Sequence, residues 1–322
     1  MLRRNALSII ALATSGASVM PVRAAAYPAK TITLVAPFAA GSSPDALVRA
    51  LAQAMSTDMA QNVIVENKPG ASSILAAQAV ARATPDGYTL LISGNVAFTA
   101  NPFMFRRLAY DPVVDFSPIT ALARGPMILY ANPRTVPVRN VAEFVKFAKR
   151  QPRGLNFGYT SATSRMPAEL LQQVSGIPLN GVAYKAGYQA LPDLLEGRID
   201  LLFTDLGAMT YVKSGQLNAL AVADTERSPF TPDVPTLQEA GIAGVDLPYW
   251  VAAYAPARTP PAVVQRLHAV LARACQTDAV RKAMAIGGTV PFVTTPDELQ
   301  RFQAKDMQRW ERVIRTAGIQ AE

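Results

Sequence analysis

The sequence predicts an α/β protein built from two units with a cleft between them, and three observations carry that prediction. Short apolar strands alternate with amphipathic helices along most of the chain. Turns rich in Gly, Ala and Ser separate several strands from the helices that follow. Two Pro-rich passages, "YDPVVDFSPIT" and "TERSPFTPDVPTLQEAGI", interrupt the alternation and mark crossings between the units. At 322 residues, half of them hydrophobic and 17% charged, the chain exceeds one typical domain and can fill two cores.

The first 26 residues stand apart. Arg3 and Arg4 precede an apolar run from Ala6 to Met20, and Ala24, Ala25 and Ala26 supply a small-residue cleavage site. That order is the grammar of a secretory leader, and its apolar run is short for a helix that spans a bilayer. A buried N-terminal helix is the competing account, and Arg3-Arg4 leaves general and twin-arginine export both open. The chain after Ala26 carries 28 basic and 23 acidic residues, a net charge of +5, with no basic run of five. Nucleic-acid binding is not indicated, whereas a mild positive field favours small anions. Cys275 is the sole cysteine, so an internal disulfide is excluded.

The first unit opens with "TITLVAPF" leading into "PDALVRALAQAM", where Leu47, Val48, Leu51 and Met55 share one helical face. "NVIVEN" into "KPGASSILAAQAVARA" repeats the pattern and stops at the turn Pro85-Asp86-Gly87. "TLLISG" is a third strand, tipped by Gly94-Asn95. Such alternation predicts parallel sheets, with ligands beyond the carboxyl ends of the strands, where these turns lie. Residues 106–140 read as a connection that runs through "MILYANP". The second unit holds the helix "NVAEFVKFAKRQ", the strand "LNFGYTS", the helix "PAELLQQVSG" and the stretch "GVAYKAGYQALPDLLEGRIDLLFTDL". The strand "LNALAVAD" leads into the second crossing, followed by "YWVAAYAPA" and three helical stretches. The last of these opens with a capping box from Thr295 to Glu298 and closes at Gly318. The paired crossings imply a discontinuous first domain, 27–123 with 248–322, and an inserted second domain, 124–247. A hinge and an interdomain cleft follow from that layout.

No catalytic constellation emerges. His268 is the only histidine and sits beside the apolar stripe of Val264, Leu267 and Leu271, where a structural role is expected. A hydrolase would need a serine near it. The chain has no Gly-x-Ser-x-Gly elbow, no H-E-x-x-H and no Walker lysine motif, and one Cys with one His excludes the usual zinc clusters. Asp193 and Glu196 read as a solvated helix face, and Lys185 lacks the phosphate-binding surroundings of a Schiff-base lysine. Neither a cofactor nor a metal is expected.

The turns offer a different chemistry. In "APFAAGSSPD" Phe38 forms an apolar wall, while Ala39, Ala40 and Gly41 leave backbone N–H groups accessible. Ser42 or Ser43 can cap the helix, Pro44 fits its first turn and Asp45 complements its dipole. A merely well-capped helix would look the same. "KPGASSI" and "NFGYTSATSRMPAEL" repeat the recipe, however, and three such turns in two facing units would line a cleft with donors suited to carboxylates.

At this level of detail the chain resembles a known family. "YPAKTITLVAPFAAGSSPDALVRALA", "VIVENKPGASS", "DGYTLLISG", "LAYDPVVDFSPIT", "LPDLLEGRIDLLFTD" and "LNALAVADTERSPFTPDVPTLQEAGIAG" are together similar to the Bug-type (TctC-like) periplasmic solute receptors of tripartite tricarboxylate transporters. The resemblance implies a type II periplasmic-binding-protein fold closing on a small organic carboxylate, a periplasmic location after cleavage near Ala26, and a monomer. It implies a two-component membrane permease as partner; a sensing protein that hands the same ligand to a signalling partner is the alternative. The site residues it implies are Phe38, Ala40, Gly41 and Ser42, then Ala71 and Ser72, then Thr160, Ser161, Ala162 and Thr163, with Asp205. This chain departs from the family pattern at Gly41-Ser42 and Ser72-Ser73, where Gly-Gly is usual, and at Arg165, near a position often held by His. Arg165 and the added hydroxyls would recognise a second anionic group, favouring a dicarboxylate, unless Arg165 only pairs with Glu169 one turn on. Tyr159, Tyr184, Phe203, Tyr249 and Trp250 could line the cleft for an aromatic acid, or simply pack in the cores.

Overall fold

The computed structural model of the protein describes residues 27–184 and 187–321. The expected leader and Lys185 lie outside the described residues. The chain starts with β1 (Ile32–Ala36), α1 (Ser43–Met59), β2 (Val63–Asn67), α2 (Ile74–Ala81) and β3 (Thr89–Gly94). Two short helices follow, α3 (Val96–Thr99) and α4 (Asn101–Met104), and then the long β4 (Phe116–Gly125). The next stretch contains β5 (Ile128–Ala131), α5 (Val141–Ala148), β6 (Leu155–Tyr159), α6 (Ala162–Ser175), β7 (Leu179–Ala183) and α7 (Gly187–Glu196). It continues through β8 (Leu201–Thr204), α8 (Met209–Lys213) and β9 (Asn218–Val222). The chain then makes β10 (Tyr249–Pro256), α9 (Pro261–Ala274), α10 (Asp278–Ile286), β11 (Val290–Pro291) and α11 (Pro296–Thr316).

These strands form two sheets, ordered β11-β4-β10-β3-β1-β2 and β7-β6-β8-β5-β9. In the first, β1 pairs in parallel with β2 and β3; in the second, β6 pairs in parallel with β7 and β8. Neither sheet is purely parallel, as the alternation had suggested. β10 runs antiparallel to β3 and β4, and β5 runs antiparallel to β8 and β9. The strands at the crossings reverse direction, which is what lets the chain enter and leave the second unit. The segment 106–140 also holds more order than a connection. Its residues Phe116–Gly125 form β4, and the pairing with β10 shifts register between Ala253 and Tyr254, opposite Pro118. A proline cannot donate to a ladder, and the irregularity accommodates it in an interior strand.

Helix α1 shows how sequence dictates packing. Ser42 is its N-cap, Pro44 fits the first turn, and Ala60 ends it in a left-handed conformation with φ 48°. Leu47, Val48, Leu51 and Met55 are all buried against the first sheet, each contributing about 1.5–3 kcal/mol of burial. The last helix ties the molecule together. Thr295 and Glu298 cap it reciprocally, with Glu298 accepting from the Thr295 N–H at 2.8 Å, and Gly318 beyond it takes φ +66°. Leu299, near its start, packs with Trp250 and Tyr254 of the first sheet, whereas Trp310 and Ile314 join the second core beside Leu155 and Leu171.

Between those ends α11 makes a buried polar seam. Gln303 accepts from the Tyr254 hydroxyl at 2.9 Å and donates to the Pro112 carbonyl at 3.0 Å. Replacing Gln303 with Leu orphans both buried groups, each costing about 1–3 kcal/mol. Urea unfolding of Gln303→Leu is expected to show a loss of about 2–4 kcal/mol. Tyr254→Phe in the same background should recover part of it, as a double-mutant cycle would reveal.

Candidate ligand-binding site

Because β1, β2 and β3 are parallel, the turns that follow them lie along one edge of the first sheet. The turn after β1 is held by one carboxylate. Asp45, only 1% exposed, accepts from the Gly41 N–H and from Arg49 Nε, both at 2.8 Å, and from Asn67 Nδ2 at 2.7 Å. The Asn67 amide also donates to the Phe38 carbonyl at 3.0 Å, which fixes this turn to the end of β2. Burial alone would push the Asp45 carboxyl up, but its donors Arg49, Gly41 and Asn67 outweigh that and hold it below the usual carboxylate range. Asp45 thus shapes the turn from inside. The Gly41 N–H is spent on Asp45, while those of Ala39 and Ala40 have no acceptor among the described residues.

The turn after β2 is strained. Gly70 takes φ +110°, and Ala71, Ser72 and Ser73 follow at +45°, +50° and +73°. Three successive non-glycine residues in this region cost roughly 1–2 kcal/mol each. Buried Asn101 offsets the cost by donating Nδ2 to the Ser72 carbonyl at 2.8 Å. Tyr110 stands behind Asn101 at 3.1 Å and donates its own hydroxyl to the Ala97 carbonyl at 2.6 Å. The Ser-Ser pair that replaces Gly-Gly is therefore forced into a glycine-like backbone.

The second unit repeats the geometry. β6 ends at Tyr159, and Ser164 Oγ accepts from the N–H groups of Thr160 at 3.0 Å and Ser161 at 3.4 Å, shaping the start of α6. Ala162 and Thr163 are buried there. Arg165 pairs with Glu169 at 3.0 Å, and its guanidinium lies 5.1 Å from the Tyr159 ring centroid. After β8, Asp205 accepts from the Gly207 N–H at 3.0 Å and from Ser43 Oγ at 2.8 Å. Burial pushes the Asp205 carboxyl up, against the lowering influence of Ser43 and Gly207. The Ser43–Asp205 bond joins the two edges. Beside it a small cavity of about 20 Å³ is lined by Ser43, Asp205, Tyr249, Gly287 and Thr289. Thr163 Oγ1 also reaches across, lying 3.5 Å from Asn95 Oδ1.

The other residues singled out in the sequence are placed as follows. Tyr184 follows the end of β7, where its N–H donates to the Tyr159 carbonyl at 2.8 Å, while its hydroxyl donates to Asp193 of α7 at 2.7 Å. Phe203 and Trp250 lie in the cores. Asp193 and Glu196 both pair with Arg198. His268 Nε2 is 3.0 Å from the Thr294 carbonyl, and the buried Cys275 thiol is pushed up to about 12 by burial. Among the described residues no cluster of three His, Cys, Asp or Glu could hold a metal. A shallow surface groove of about 530 Å³, lined by Phe105, Arg106, Leu108 and Asp111, contains none of the turn residues. Sequence reasoning missed Asn67, Asn95 and Asn101. Their signal was faint: each is an asparagine just beyond or at the end of an apolar strand or short helix, where polar residues are ordinary.

Two α/β units whose donor-rich strand ends face each other define a ligand-capturing receptor of the periplasmic-binding-protein class. The match of residues 47–319 to the family of tripartite tricarboxylate transporter receptors, TctC, establishes that the chain belongs to that family. Its fold is that of solved relatives. Rpa4515 of R. palustris, in a structure with adipate, superposes with a TM-score of 0.85 at 32% identity, over 92% of this chain and 100% of the other. The periplasmic binding protein BugD gives 0.83 at 29% identity, over 92% and 100% of the respective chains. MatC of Rhodopseudomonas palustris, with bound malate, gives 0.81 at 31% identity, over 89% and 100%.

If Asp45 supports the turn from inside, Asp45→Ala should lose about 2–4 kcal/mol of stability in urea unfolding and weaken every ligand alike. The pH dependence has a definite sign. A depressed carboxyl stabilises the fold fully above its unfolded value, near pH 4, and that contribution is lost as acid protonates the folded group. Asp45→Asn should therefore flatten the fall in stability below about pH 4.

Proposed function

We propose that the protein is a periplasmic receptor that captures a small dicarboxylate between its units and delivers it to a two-component membrane permease. The observation that supports this most is the meeting of two donor-rich turn edges across the Ser43–Asp205 bond. One carboxylate would be taken by the turn from Phe38 to Ser42, with the N–H groups of Ala39 and Ala40 and with Ala71 and Ser72 beside them. The second-unit turn, Tyr159 to Thr163, would close over it. Charge-assisted bonds of this kind are short and strong, and ordered water can extend them to acids of different length. The presence of adipate and malate in structures of two relatives favours a dicarboxylate. Arg165 sits one turn into α6, half-buried on the Tyr159 ring, where its guanidinium can exchange Glu169 for the far carboxylate. The apolar run and small-residue site before Tyr27 support export to the periplasm.

Thermal unfolding of the mature protein against succinate, malate, adipate, citrate, acidic amino acids and aromatic diacids tests the reading. Protein first unfolded, desalted and refolded excludes a site already filled. A ligand at a hundred times its dissociation constant adds about 2.7 kcal/mol, a rise of a few degrees. A flat response across the panel would overturn the dicarboxylate reading. Arg165→Ala is expected to weaken the best dicarboxylate about tenfold or more, as loss of a charged hydrogen bond does. Unchanged affinity would leave Arg165 as the partner of Glu169 alone.

A further inference from the structure

Asn95 is fully buried at the tip of β3, and its groups can be accounted for one by one. Its backbone N–H donates to the Trp250 carbonyl at 3.0 Å. Its backbone carbonyl accepts from the N–H groups of Phe98 and Thr99 and from the Thr99 hydroxyl, all at 2.9 Å. Its side chain makes no capping bond to the helix it precedes. The amide oxygen faces Thr163 Oγ1 of the second unit at 3.5 Å, and the amide nitrogen has no partner among the described residues. Buried amide donors are almost always paired, and an orphan costs about 1–3 kcal/mol. A side chain that contributes nothing to its own helix and leaves a donor unpaired has its use elsewhere.

Its position says where. β3 lies beside β1 in the sheet, so Asn95 stands on the same edge as the turn from Phe38 to Ser42. Thr163 approaches it from the facing turn, so the orphan donor lies in the seam where the two edges meet. Gly94 brings a second unpaired donor to the same place. A Cβ there would come within 2.9 Å of the Tyr249 ring, and the buried Tyr249 hydroxyl also lacks a partner. The Asn95 oxygen faces Thr163 at 3.5 Å, longer than an ordinary hydroxyl hydrogen bond, and its Nδ2 is the end left without a partner among the described residues.

We propose that Asn95 is a specificity residue whose Nδ2 donates to an acceptor on the second carboxylate of the ligand, in the seam between Thr163 and the tip of β3. This inference rests on the dicarboxylate reading above. Neutral N–H donation discriminates by presence of an acceptor, because a ligand lacking one leaves the amide orphaned.

Calorimetric titration of wild type and Asn95→Ala should use succinate, malate and adipate beside the monocarboxylates butyrate and hexanoate. Asn95→Ala is expected to weaken the dicarboxylate that binds by about tenfold or more, and the monocarboxylates by no more than about twofold. Equal dicarboxylate affinity in the two proteins overturns the proposal. A second measurement stands apart from the choice of acid. Asn95→Leu replaces an orphaned amide by an apolar group of similar shape, so the ligand-free variant should melt no lower than wild type. A fall of more than about 3 °C would make Asn95 a structural residue and overturn its role in recognition, even where none of these acids binds. Wild type that binds none of them defeats the dicarboxylate reading and this proposal with it, whereas a dicarboxylate that binds wild type and Asn95→Ala equally defeats this proposal alone.

Discussion

A single buried carboxylate sets the geometry of the first unit's ligand-facing edge. Asp45 gathers the Gly41 N–H, Arg49 and Asn67, and Asn67 in turn holds the Phe38 carbonyl. Two successive strand ends are thereby locked together, and the Ala39 and Ala40 N–H groups are left without an acceptor among the described residues. An unpaired carboxylate at this depth would be costly, so the three donors are required as much as they are useful. Arg49 is itself half-exposed, and its pairing relies on i,i+4 spacing along α1. In the capture proposed here, Asp45 would act by holding the turn rather than by meeting the ligand.

The same economy holds where the two units meet. The Ser43–Asp205 bond joins the two units, and the raised Asp205 carboxyl records the cost of its burial there. Ser43 and the Gly207 N–H offset the cost without cancelling it. In the receptor proposed here, a closed form held only marginally by its own contacts would suit reversible capture, because ligand can shift a population only by its differential affinity for the two states. Meanwhile α11 packs into both cores, and the crossing strands β4 and β10 pair along most of their length. These contacts hold the two units together away from the turn edges.

Much of this was legible in the sequence, for physical reasons. The apolar stripe of α1, its Ser42 cap, the capping box of α11 and the left-handed Gly318 are local signals, and local signals survive without knowledge of neighbours. The alternation of strands and helices gave the class of fold. It could not give the antiparallel strands at the crossings, because direction within a sheet is set by partners far away in sequence. β4 hid behind Pro118 and Arg124, which break an apolar pattern that only the bulged pairing with β10 repairs. At the site, turns made of small residues announced themselves, whereas the supporting asparagines did not. Asn67, Asn95 and Asn101 matter through what they face, and a lone asparagine has no period.

The irregularities that remain are concentrated at one place. Ala71, Ser72 and Ser73 hold left-handed backbones, Asn95 and Tyr249 keep unpaired donors, and Asn101 leaves its amide oxygen unsatisfied while its nitrogen supports Ser72. Two other unpaired hydroxyls and an indole nitrogen occur elsewhere, but those are isolated groups, not neighbours on one sheet edge. Strain and orphaned polarity both subtract from stability, and a chain with two well-filled cores can carry them only because the rest of the fold over-determines the edge. A fold selected for stability alone would place glycines in the second turn and an apolar side chain at the tip of β3. This chain instead keeps serines and an asparagine at those points, and a ligand with matching acceptors is the partner that would turn each of those costs into a contact.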